Sequence, residues 1–281
     1  MKNTIGFILR GRENRIRNGW WVLIFFFTLS ALLFPLILLA QHYGFELNIW
    51  MQSGIIALAT LLVQALRRKP PLEICGRINR NWWSELFTGS LLGAVLMLVP
   101  ALILWISGSL SWQMNRFTGV DFLQGLGVMM GVALAEELLF RGFVFQRLLA
   151  AFGEWPAQLM MAILFLLTHL DNEGMTGVAG MLAAVNIFMA SVLFGRAYLK
   201  SKNLSMPLGL HFMANVTQGP VLGFGVSGDQ EPGLFRPVLS EASAWLNGGN
   251  FGLEASPVAL IILLLMTCSP YFRKSETIIK K

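Results

Sequence analysis

The segment AEELLFRGFVF places Glu136, Glu137 and Arg141 in an otherwise apolar run. A charged group at the centre of a bilayer costs on the order of 2.5–3.5 kcal/mol even on lenient insertion scales, so three so close together need mutual pairing, water or a function. Residues four apart share one face of a helix, whereas adjacent residues point about 100° apart. Glu137 therefore pairs with Arg141. Glu136 projects from a neighbouring face, free of that pair and open to a partner helix or a water.

Two other apolar segments supply complementary groups. FLLTHL puts His169 four residues after Phe165 on the same helical face, and MPLGLHFMAN puts His211 and Asn215 at i and i+4, soon after Pro207 at a helix start. Taken singly, each has a structural reading: the glutamates and arginine knit helices, His169 packs, and Asn215 bonds across helices. Taken together they bring a carboxylate, two imidazoles and a carboxamide within reach of three helices. A carboxylate whose pKa burial raises can take a proton from water, which then attacks a peptide carbonyl. An imidazole and the Asn215 amide then stabilise the developing oxyanion. Glu136, His169 and His211 can instead hold Zn2+ or another divalent metal that lowers the pKa of bound water to about 7. The sequence leaves both chemistries open. His42, in a short loop, reads as an interfacial residue.

The elements that position these groups must live in lipid. The chain is 55% hydrophobic and 13% charged, with a mean hydropathy of +0.63, against roughly a quarter charged in soluble domains. Apolar runs of about twenty residues, the length that crosses a hydrocarbon core roughly 30 Å thick, recur along it. We read eight spans: Trp20–Ala40, Ile49–Ala65, Trp83–Ile106, Phe122–Ala150, Pro156–Leu170, Val178–Leu199, Pro207–Leu222 and Ser256–Ser269. The first run is too long for the core of a signal peptide and has no small-x-small cleavage site after it. The predicted fold is an all-α, polytopic membrane bundle of about eight transmembrane helices around a four-helix catalytic core.

Basic residues fill alternate loops. They occupy the N-terminus (Lys2, Arg10, Arg12, Arg15, Arg17), the stretch Arg67, Arg68, Lys69, Arg77 and Arg80, then Arg147, the Arg196–Lys202 loop, and the tail (Arg273, Lys274, Lys280, Lys281); the intervening loops hold only Arg116 and Arg236. Because Lys and Arg accumulate on the cytoplasmic side, this predicts an even number of crossings with both termini in the cytoplasm. It also accounts for the net charge of +6 without nucleic acid, since no continuous basic stripe is present. The loop of about 223–255, rich in Gly, Pro and Ser and carrying Asp229, Glu231, Glu241 and Glu254, reads as a flexible extracytoplasmic connector with a lesser case for substrate gating. The Gly89–Gly93 and Gly127–Gly131 spacings predict close helix approach.

The segments EELLFRG, FLLTH and HFMAN resemble, in order and spacing, the three signature motifs of the CPBP family of intramembrane proteases. That family includes CaaX-prenyl endopeptidases of the Rce1 type and bacteriocin-processing or immunity proteins. The resemblance covers about Leu134–Asn215. It implies that Glu136 is the general base or a metal ligand, that Glu137 and Arg141 support it, and that His169, His211 and Asn215 complete the site. It implies a division into an N-terminal three-span region (1–120), a protease core (121–222), and a loop, last span and basic tail (223–281), all within one membrane domain. The expected activity is hydrolysis of a peptide bond in a membrane-associated or lipidated, CaaX-like, peptide at the cell membrane. The alternatives are a non-catalytic immunity or scaffold protein and, with less support, a proton-coupled transporter using the same Glu and His chain.

Overall fold

Helix ends along the chain fall where the sequence supplies caps. In the computed structural model, which describes residues 16–116, 118–230, 232–240 and 244–272, α1 (Asn18–Tyr43) stops where Gly44 adopts φ 69° and returns its N–H to Ala40. Helices α2 (Ile49–Leu66) and α3 (Arg80–Ile106) start at Asn48 and Asn79, whose side chains accept from the N–H groups of Met51 and Trp82, each at 3.0 Å. Thr118 and Asp121 form a reciprocal capping box at the start of α4 (Gly119–Glu137). A π-helical segment, Leu138–Phe143, carries α4 into α5 (Val144–Phe152). Beyond them lie α6 (Glu154–Leu167), α7 (Gly177–Ser201), α8 (Ser205–Val216) with a π-helical extension at Thr217–Val221, and α9 (Pro257–Cys268).

The protein is thus the helical membrane bundle expected. Among the described residues, α1, α2, α3 and α7 are long and apolar enough to cross a membrane unaided. The other four expected spans are shorter or more polar. Span four is broken by the π segment, where Gly142 has a non-helical ψ of −123°, and α6 and α9 have only 14 and 12 residues. One departure from an all-helical reading is a two-stranded antiparallel sheet, β1 (Leu110–Met114) with β2 (Phe235–Leu239), which joins two loops at one end of the bundle.

That sheet pairs Gln113 with Arg236, so the two sparsely basic loops share an end. The basic loops meet elsewhere: Arg67 and Arg147 both reach Glu73 at 3.4 Å, Arg147 bonds Asn18 at 3.3 Å, and the N–H of Leu204 bonds the carbonyl of Cys75 at 3.4 Å. The alternation of charge along the sequence therefore maps onto two ends of the bundle. The basic residues at 1–15 and 273–281, with Glu231 and Glu241, lie outside the described residues.

Helices α3 and α8 make the closest approach, as the glycine spacing predicts. A Cβ at Gly89 or Gly93 would fall 2.2 Å from the carbonyl oxygens of Met206 or Leu210, and one at Gly209 would fall 2.1 Å from that of Leu86. The second predicted pair divides. A Cβ at Gly131 would meet Ile49 of α2 at 2.8 Å, where Ser53 also bonds the Gly131 carbonyl at 2.9 Å, but one at Gly127 would have nothing within 4 Å.

The loop read as a flexible connector differs most from expectation. Phe251, Leu253 and Ala255 are fully buried and join the core, and the turn at 226–229 is packed against the segment that follows α6.

Candidate active site

All six residues singled out by chemistry line or abut one cavity of about 530 Å³. Helix α4 delivers Glu136 and Glu137, the π segment Arg141, the turn after α6 His169, and α8 both His211 and Asn215. The π segment widens the helix by one residue where the buried charges sit, a placement often found at functional sites.

Glu137 and Arg141, each 1% exposed, meet at 3.2 Å as the i,i+4 spacing predicts. Further donors of the guanidinium are used by Ser191, whose carbonyl and hydroxyl accept from Nη2 at 3.1 and 3.0 Å. The rings of Phe165 and Phe194 lie 4.9 and 5.0 Å from the guanidinium carbon and seal it from lipid. Glu137 does more than the sequence reading assigns to it. The same oxygen, Oε1, takes a hydrogen bond from His211 Nδ1 at 2.9 Å. Its Oε2 is buried with no hydrogen-bond partner among the described residues.

His169 poses a positional difficulty, because a full-length fifth span would place it near the far interface from His211. The structure removes it through helix length: 14 residues rise about 21 Å at roughly 1.5 Å each, short of a full crossing. His169 therefore enters the interior, with Nε2 at 3.9 Å from Glu136 Oε1, while His211 Nε2 lies 3.7 Å from Glu136 Oε2.

The partners assign the tautomers. His169 Nδ1 lies 2.7 Å from the carbonyl oxygen of Phe165, which only accepts, so Nδ1 carries the proton. His211 Nδ1 likewise donates to Glu137. In the neutral form of each ring, the Nε2 turned toward the Glu136 carboxylate is then the unprotonated nitrogen. Separations of 3.7 and 3.9 Å exceed a direct hydrogen bond but allow one water to touch both partners. Glu136 is 23% exposed, to the cavity. Asn215 lines that cavity at 9% exposure, its side chain without a hydrogen-bond partner among the described residues. Phe194 stacks on the His211 ring at 4.8 Å and 16°, fixing its plane.

Zinc seats nitrogen and oxygen donors at about 2.0–2.2 Å, and among the described residues no group of three His, Cys, Asp or Glu side chains converges closely enough to hold an ion.

Several site residues escaped the sequence reading. Ser191 and Phe194 on α7 had only their place in an apolar run. Asn172, Ser227, Asp229 and Glu254 line the cavity from loops. Glu254 Oε1 accepts from the Ser227 N–H, from the Ser227 hydroxyl at 3.0 Å and from Gln218 Nε2 at 3.3 Å. Burial pushes its carboxyl above the usual range, against the pull of those hydrogen bonds and of His169.

The helices and the cluster they bury define a polytopic membrane protein organised around a Glu–His site. Residues 118–217 match the family model described as type II CAAX prenyl endopeptidase Rce1-like, so the chain carries an Rce1-like domain over that stretch. The matched segment runs from the cap of α4 to the residue that follows α8 and contains all six expected site residues. No curated protein and no solved structure matches the chain.

Proposed function

We propose that this protein is an intramembrane endopeptidase that hydrolyses a peptide bond of a membrane-associated or lipidated, CaaX-like, peptide with water activated by Glu136. The observation that carries the reading is the pair of open Nε2 atoms facing the Glu136 carboxylate across gaps of 3.7 and 3.9 Å. The Rce1-like match over 118–217 supports it, since that family is described as prenyl endopeptidases.

A water in this gap donates one hydrogen to Glu136 and the other to an imidazole Nε2. As the water oxygen bonds the peptide carbonyl carbon, Glu136 takes its proton and later passes it to the leaving amine. The Nδ2 group of Asn215, free of other partners among the described residues, donates to the carbonyl oxygen as it becomes an oxyanion. Because both Nδ1 protons are committed, the imidazoles hold the water rather than the oxyanion. Glu137 and Arg141 fix His211 and keep the negative charge of Glu137 compensated. The catalytic core comprises residues 121–222, and both termini face the cytoplasm. The apolar walls of the cavity, with Leu139, Ile56 and Val132, suit a lipidated or membrane-embedded peptide.

The test compares peptide termini in membranes of cells bearing the wild-type chain with those bearing Glu136→Ala. Termini that appear only with the wild type are the expected result. Identical termini, with both proteins inserted and folded, would overturn the proposal.

A further inference from the structure

Three loops that are distant in sequence are tied together at the rim of the cavity, and one carboxylate ties them. Ser227 adopts φ 50°, a left-handed conformation that a residue with a Cβ holds only when its surroundings impose it. Its N–H and hydroxyl both donate to Glu254 Oε1, and its carbonyl accepts from Asn172 Nδ2 at 2.8 Å. Asn172 in turn bonds the carbonyl of His169 through its own N–H at 3.2 Å. On the other side, Gln218 Nε2 bridges Glu254 to the carbonyl of Gly225 at 2.6 Å. Gln218 stands seven residues after His211 and three after Asn215, so it extends their face of α8 by one turn.

Tight backbone packing closes the arrangement. A Cβ at Gly228, φ 97°, would lie 2.4 Å from the carbonyl oxygen of Glu173, and one at Gly252, φ 114°, would lie 2.0 Å from that of Gly225. The turn at 226–229, closed by mutual Val226 and Asp229 backbone bonds of 2.9 and 3.0 Å, thus sits between the His169 turn and the Glu254 turn.

We infer that Glu254 is a positioning residue which, through Ser227 and Asn172, straps the 226–229 turn over the cavity and holds the His169 turn at its catalytic depth. His169 needs such a device because it sits past the end of α6, bonded to the Phe165 and Leu166 carbonyls on its N-terminal side. The strap acts through hydrogen bonds, so a neutral side chain of the same shape can replace Glu254. This inference rests on the proposed role of His169, but its structural part is tested without substrate.

The experiment is backbone hydrogen exchange of the full chain in lipid nanodiscs, read by peptide mass, for wild type, Glu254→Ala, Glu254→Gln and Asn172→Ala. Glu254→Ala is expected to speed exchange about tenfold in peptides covering both 224–230 and 168–173, and Glu254→Gln to stay within about threefold of wild type. Asn172→Ala is expected to loosen 168–173 while 224–230 stays protected, which tests the link even if Glu254→Ala unfolds and exchanges throughout α3. An unchanged 168–173 segment in Glu254→Ala or in Asn172→Ala would overturn the strap, as would Glu254→Gln behaving like Glu254→Ala. In parallel, hydrolysis of a quenched S-farnesyl cysteine peptide is expected to fall in kcat with little change in KM for Glu254→Ala and to recover in Glu254→Gln. Failure of the wild type to cleave that probe, with the exchange pattern intact, counts against the peptidase reading and not against the strap.

Discussion

Glu137 Oε1 accepts from His211 Nδ1 at 2.9 Å and from Arg141 Nη1 at 3.2 Å. One oxygen therefore sets the tautomer of an imidazole and balances the guanidinium of the cluster. Structural and chemical roles meet in this atom and can be separated by mutation.

Glu137→Gln is expected to leave the Arg141 charge buried and unpaired, at a cost of about 3–5 kcal/mol. Adding Arg141→Met removes the uncompensated charge and should restore much of that stability. Activity should not return, because a neutral amide in place of the Glu137 carboxylate can donate as well as accept and no longer guarantees that His211 carries its proton on Nδ1. Thermal unfolding and peptide hydrolysis on the single and double variants separate the two effects. Recovery of both together would contradict the split.

Glu136→Gln keeps the shape of the side chain and removes its basicity. Turnover should fall on the order of 10²–10⁴-fold, the range for loss of a general base, with unfolding temperature close to wild type. His211→Ala should lose turnover to a similar extent. Retained hydrolysis in both purified variants would remove Glu136 from the chemistry.

Glycines of similar appearance should respond differently. Gly209→Ala drives a Cβ into the backbone of α3 and is expected to cost roughly 1–3 kcal/mol or more and to disturb His211 two residues away. Gly127→Ala has open space around it and should be neutral or stabilising by about 0.5–1 kcal/mol. Comparable losses at the two positions would argue against the α3–α8 seam.

Glu254 gives a pH signature. Its folded-state pKa is raised by burial, so its contribution to stability is fully present below the unfolded value, about 4.3, and is lost as pH rises through the folded value. Glu254→Gln should therefore gain on the wild type in unfolding temperature as pH is raised from about 4 to about 7.5. A difference that does not change with pH would exclude the titration.

What could be foreseen followed from short-range geometry. The Glu137–Arg141 pair and the shared face of His211 and Asn215 depend on helical spacing alone, and the membrane fold follows from apolar runs and alternating loop charge. The depth of His169 was not legible, since Asp171 to Gly174 mark where the apolar run after Pro156 stops but not how deep so short a helix sits in the bundle. Nor were Ser191, Phe194 and Glu254. Their partners are remote in sequence, and a loop rich in Gly and Ser carries no periodicity to show that Phe251 and Leu253 turn inward. The β1–β2 pairing was missed for the same reason, two strands of five residues with α4 to α8 between them.

The shortness of α6 and α9 reaches beyond the protein itself. Both present Leu, Ile or Met to the outside, with Leu159, Ile163, Ile261 and Leu265 exposed, yet rise only about 21 and 18 Å. Lipid meeting such helices beside full-length neighbours thins to match them. Beside these helices the protein is therefore expected to thin the bilayer, and under the proposed function such a dent shortens the path by which water and a peptide backbone leave the aqueous phase.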